Sequence, residues 1–179
     1  MLTITHAEAS TAILAAVATG TLVQGKWHDP GADGRHLACL LGSIHSEMKE
    51  AADCPADLMP LWMAELTVTL FDRVPAAEIY RIARRYGGLV ARWHALDAAG
   101  WDAVLRRFLV RAIDDAVRYA RPVAIGQSYW PAVDAACALC RVAIENGDRD
   151  AAAARAAASL DLFDYLLDQI DAQIGPASS

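Results

Sequence analysis

The sequence predicts an all-α protein: an irregular bundle of six to seven helices forming a single domain over residues 1–175, with a disordered tail at 176–179. Three observations predict it. Apolar residues recur at spacings of three and four from Ile79 to Trp93 and from Trp101 to Tyr119, the period of one helical face. Much of the 55% apolar content is alanine, the strongest helix former. No stretch of useful length alternates with period two, and short polar breaks separate the segments. No repeat of fixed period points to a solenoid.

The first helix opens on a capping box, in which Thr5 accepts from the Glu8 backbone and the Glu8 carboxylate reaches back. It runs through Ala7–Ala18 and stops at Gly20. From Gly20 to Gly34 the chain holds Gly25, Asp29-Pro30-Gly31 and Asp33-Gly34, all turn chemistry, and reads as a loop. Trp27 inside it is expected to pin the loop onto the body. Arg35–Ile44 reads as a short helix, extending raggedly toward Glu50. Cys54-Pro55 opens the next helix, with Pro55 in the first turn, and Pro60 restarts or kinks it. Residues 61–71 follow as helix, although Thr67-Val68-Thr69 is a β-branched run that opposes it.

Pro75 begins a long helix whose stripe is Ile79, Ile82, Ala83, Tyr86, Leu89, Val90 and Trp93. Gly87-Gly88 interrupts it, which predicts a kink or a close helix crossing. Asp97 caps the next helix, whose stripe is Trp101, Leu105, Phe108, Leu109, Ala112, Ala116 and Tyr119, and Pro122 ends it. A further helix from Ser128 or Tyr129 to Val142 closes at Asn146-Gly147. The last, capped by Asp148, runs from Arg149 to Ile174 and carries a bare alanine face at 151–158.

The function classes are bounded by charge and composition. The apolar stretch Ala12–Ala18 is too short to span a bilayer and has no basic leader, so no membrane partner and a cytoplasmic location are expected. There the four cysteines stay reduced. Net charge is −6, which argues against nonspecific nucleic-acid binding by the whole body. Its distribution says more: residues 1–72 carry three basic and nine acidic side chains, 73–121 ten and five, and 122–179 three and eight. All ten basic residues of the middle third are arginine.

The run Asp53-Cys54-Pro55-Ala56-Asp57-Leu58-Met59-Pro60-Leu61-Trp62-Met63-Ala64-Glu65-Leu66-Thr67 precedes Phe71-Asp72, Arg84-Arg85-Tyr86 and Ala91-Arg92-Trp93. Over residues 27–110 this pattern resembles a group of uncharacterised alanine-rich phage and prophage proteins. The resemblance implies a bacterial or mobile-element context and no catalytic activity.

Two sets of residues are candidates for function. His36-x-x-Cys39 and Cys137-x-x-Cys140 each place two metal-binding side chains on one helical face, and together they would make a Cys₃His zinc site. The alternative, which the apolar neighbours of Cys137 and Cys140 favour, is that the thiols are small core residues. Neither His28, His45 nor His94 stands beside a recognisable nucleophile, no Glu-x-x-His pair suits a di-iron bundle, and no glycine loop cradles a phosphate. No cofactor is therefore expected, and a non-enzymatic role is favoured over an enzyme. The better candidate is the arginine-rich middle. Arg81, Arg85 and Arg92 on one helix and Arg107, Arg111 and Arg118 on the next would form a positive face for an acidic protein partner, with the Trp27–His28 loop as a second contact. The opposing reading is internal balance, with Arg111–Asp115 and Asp114–Arg118 as helical pairs. A non-enzymatic protein–protein interaction role follows, of immunity or anti-defence type. A nucleic-acid regulator using the arginine face is one alternative, a metal-binding helical protein or enzyme is the other, and the alanine face suits a homodimer.

Overall fold

A computed structural model describes residues 2–124 and, beyond them, the helical positions Pro131, Cys137, Ala138, Arg141, Val142, Ile144, Glu145, Asp168, Ile170 and Ala172. Side chains are described through residue 118 and at those later positions. The protein is mostly helical. Among the described residues there are four α-helices, α1 (His6–Thr19), α2 (Leu61–Phe71), α3 (Ile79–Val90) and α4 (Ala98–Ala124), with 3₁₀ turns at Ala51–Asp53, Ala76–Glu78 and Trp93–Ala95. The expected six to seven helices find no support. The alanine face at 151–158, Cys140 and the tail at 176–179 lie outside the described residues, as do most positions of the two last expected helices.

Helix α1 begins where local chemistry places it. The Thr5 hydroxyl accepts from the Glu8 N–H at 3.2 Å and the Glu8 carboxylate accepts from the Thr5 N–H at 2.8 Å. Gly20, at φ 67°, ends it with an N–H bonded to the Ala16 carbonyl. Its face Ala9, Ile13 and Ala16 is buried against α3.

The next segment departs from the expected loop and helix. His28–Asp29 (β1) pairs antiparallel with Leu37–Ala38 (β2), with His28 opposite Ala38 and Asp29 opposite Leu37. A bridge from Leu22 to Ala38 adds a third chain segment. Residues 35–44 thus hold the two-residue strand Leu37–Ala38 followed by turns at 40–44. The cause is long-range: the Cys39 N–H donates to the Trp27 carbonyl at 3.1 Å and the Ala38 N–H to Thr21 at 3.0 Å, bonds a helix would have forfeited. Trp27 packs against the core as expected. The loop is further tied to the end of α2, where Gln24 donates to the Val74 carbonyl at 2.8 Å and the Gly25 N–H to Asp72 at 2.8 Å.

Pro55 does not open a helix; residues 55–59 are turns, and Pro60 caps α2. The β-branched run stays helical because Thr67 is buried and bonded: its hydroxyl and that of Tyr86 lie 3.1 Å apart. The stripe expected from Ile79 to Trp93 is buried without exception, although the helix expected from Pro75 is shorter: α3 ends at Val90, and Trp93 stands in the following 3₁₀ turn. On α4 the buried set is Val104, Phe108, Leu109, Ala112, Ile113 and Asp115, while Ala116 is exposed, so the stripe lies about one position from the expected one. Helix α4 also continues two residues past Pro122, whose fixed φ is compatible with a helix. These elements close on one core that Ile144 and Ile170 join.

Helix α3 runs unbroken through Gly87 and Gly88, so of the two expected outcomes the close crossing is the one realised. A Cβ on Gly87 would stand 3.0 Å from Ile13 Cγ2 and 3.2 Å from Leu14 Cδ2 of α1; one on Gly88 would meet nothing within 4 Å. The neighbours therefore separate packing from propensity. Gly88→Ala is expected to stabilise by about 0.8–1 kcal/mol, the helix-propensity difference. Gly87→Ala should destabilise by about 1–2 kcal/mol through crowding. Urea unfolding of the two variants checks this; equal effects would mean that α1 and α3 do not meet there.

Candidate functional site

The arginines of α3 and α4 are set out by helical geometry and then divided by their partners. Arg81 pairs with Glu78 one turn before it. Arg85 reaches Asp168, 83 residues along the chain in the acidic final third. On α4, Arg111 Nε lies 2.7 Å from Asp115 Oδ2, and Arg118 Nη2 lies 2.6 Å from Asp115 Oδ1. Asp115 is only 6% exposed, so two guanidiniums clamp one buried carboxylate. The expected partner of Arg118, Asp114, instead lies 3.0 Å from Arg141. Arg92 is half-buried. Internal charge balance thus occupies Arg81, Arg85, Arg111 and Arg118 of the six arginines expected on the face.

Arg107 is different, and so is Arg106, which the spacing argument passed over. Both are exposed, and among the described residues no carboxylate pairs with either. With Val110 and Glu145 they line a groove of about 300 Å³. The signal for Arg106 was its adjacency to Arg107 on the polar side of the Leu105–Phe108–Leu109 stripe. Arg84 on α3 is likewise exposed without an ion-pair partner among the described residues. Two planar guanidiniums beside an apolar wall suit a carboxylate-bearing side chain.

The proposed zinc ligands are not brought together among the described residues, where no group of three or more His, Cys, Asp or Glu side chains could hold a metal. Cys39 is buried and its Sγ accepts from the Gly42 N–H at 3.3 Å, while His36 is exposed. Cys137 is half-buried, and Cys140 lies outside the described residues. Burial pushes the Cys39 thiol up, and burial, helped by Asp57, pushes Cys54 up to about 12. Both are protonated at neutral pH and poor nucleophiles. Tyr86, buried, is held well above its usual range, its hydroxyl lying 3.1 Å from Thr67 Oγ1 and 3.6 Å from Met59 Sδ.

His28 does not point to solvent from a free loop. Its Nε2 lies 2.7 Å from the Met48 carbonyl and its Nδ1 3.0 Å from His36 Nε2. His36 also lines a groove of about 340 Å³ beside α1, with Thr19, Thr21, Ser43 and Ser46. Sequence reasoning missed this pairing; the one local signal is the turn Pro30-Gly31-Ala32-Asp33-Gly34 between the two histidines. His6, by contrast, is held below its usual pKa by burial, and its Nε2 lies 3.1 Å from the Leu58 carbonyl.

No protein family, functionally characterised protein or solved structure matches this chain. Its class is therefore given by architecture alone, a mostly helical protein with a small antiparallel ribbon. No helix among the described residues is long and apolar enough to cross a membrane.

Proposed function

We infer that this chain is a non-enzymatic interaction protein of bacterial or phage origin, acting by protein–protein contact, with an immunity or anti-defence role as its concrete form. The observation that supports this reading is the exposed Arg106–Arg107 pair beside the Val110 groove on α4, with no carboxylate partner among the described residues. The partner it suits is an acidic segment carrying one apolar side chain. The arginines already joined to Glu78, Asp168 and Asp115 serve the fold and are not part of the surface.

The test is capture from the bacterial host with the wild-type protein and with an Arg106→Glu/Arg107→Glu double variant. A partner retained by the first and lost by the second, with unfolding midpoints unchanged, is the expected result. Identical captured sets from both proteins would end the reading. The nucleic-acid alternative predicts an affinity for duplex DNA that falls steeply with salt, about one phosphate contact per unit of slope. The neutralisation of Arg85, Arg111 and Arg118 counts against it. The remaining alternative, a metal-binding helical protein or enzyme, predicts bound metal in protein purified without added zinc, and light scattering tests for a homodimer.

A further inference from the structure

We propose that His28 and His36 form a two-histidine clamp for a single first-row divalent metal ion such as Ni²⁺, Cu²⁺ or Zn²⁺. The placement follows from strand register. His28 is opposite Ala38, and His36 is two residues before Ala38, so the two histidines are diagonal neighbours on one face of the ribbon. That separation is within reach of aromatic side chains. Their rings lie with centroids 5.0 Å apart and planes 28° apart.

One of the two lone pairs, that of His28 Nδ1, is already fixed. The Met48 carbonyl can only accept, so the neutral His28 ring carries its proton on Nε2 and donates it there at 2.7 Å. Its Nδ1 lone pair is thereby turned toward His36 Nε2, 3.0 Å away. A carbonyl that fixes tautomer and orientation in this way is the usual second layer of a metal-bound histidine. Two nitrogens each about 2.0–2.1 Å from a metal and at right angles across it stand about 2.9 Å apart, so a pivot of the two rings that turns the hydrogen-bonded nitrogens toward one ion is enough, without separating them. In the metal-free protein His36 Nε2–H donates to His28 Nδ1. On binding, the ion takes both lone pairs and the His36 proton resides on Nδ1.

Two imidazoles select Ni²⁺, Cu²⁺ and Zn²⁺ over Mg²⁺ and Ca²⁺, which prefer oxygen. The remaining coordination positions are left to water, His36 being exposed at the edge of the groove. This site keeps His36 from the Cys₃His set expected from sequence but pairs it with His28 and not with Cys39, which is buried.

The test is calorimetric titration of the intact chain with Ni²⁺, with histidine ring resonances followed by NMR on titration with Zn²⁺. One equivalent of Ni²⁺ is expected to bind the wild type. His36→Ala removes an exposed ring and should weaken binding by about tenfold or more, since even outer partners of metal ligands cost that much. His94→Ala, on an exposed ring elsewhere, should leave it unchanged. Zn²⁺ should shift the rings of His28 and His36 before those of His6, His45 and His94. Equal Ni²⁺ affinity in wild type and His36→Ala, no binding by the wild type, or Zn²⁺ shifts at the other histidines first would each overturn the proposal.

Discussion

Replacing Trp93 with alanine is expected to cost about 3–5 kcal/mol of stability, the range for deleting a large buried aromatic. Trp93 is 1% exposed. Its ring meets Tyr86 edge-on at 5.0 Å and Trp101 at 5.4 Å, and Trp101 in turn meets Trp62 at 5.9 Å. One residue thus joins α3, the start of α4 and α2. Its Nε1 is buried and has no hydrogen-bond partner among the described residues. That orphan N–H sets up a sharper comparison. Trp93→Phe leaves a smaller void and also removes the unpaired donor, so it should cost well under half as much as alanine. The measurement is the urea midpoint at constant slope. A loss below about 1 kcal/mol for alanine would show that the four rings do not form a packed cluster.

Gly42→Ala is the second large effect, and its cause is purely steric. A Cβ there would stand 2.3 Å from the Trp27 carbonyl oxygen and 3.3 Å from His28 Cε1. Gly42 is not at positive φ, so alanine meets no torsional penalty. The carbonyl cannot simply retreat, because it accepts from the Cys39 N–H that holds the ribbon. A loss of about 3 kcal/mol or more is expected, at the upper end of overpacking costs. NMR should also show His28 displaced from Met48. A variant as stable as the wild type, with unaltered His28 resonances, would mean that the loop at 27–28 does not rest on Gly42.

The contrast between Gly42 and Gly88 shows how far reasoning from local pattern reaches. Gly88 sits in a helix whose existence is written in the spacing of Ile79, Ile82, Tyr86 and Leu89, and nothing from elsewhere approaches it. Gly42 lies in a stretch with no clear periodicity, where the expectation was helix and the outcome is turn. Nothing adjacent in sequence announces the Trp27 carbonyl.

The same division runs through the charges. Arg111 and Asp115 are one helical turn apart, so their pairing was legible. That Asp115 also holds Arg118, and that Arg85 is matched by Asp168, depended on which face of α4 is buried and where the final third lies. Those pairings are what moved the candidate surface from six arginines to Arg106 and Arg107.

By itself the sequence determined the helical character, the capping box at Thr5–Glu8 and the buried stripe of α3, because each rests on interactions spanning three or four residues. Tertiary structure alone decided the ribbon at 28–38, the burial of Asp115 and the meeting of His28 with His36. Those depend on groups eight or more residues apart, or on a helix's rotation about its axis, and they are chosen by which backbone and side-chain polar groups can be satisfied once the core has closed.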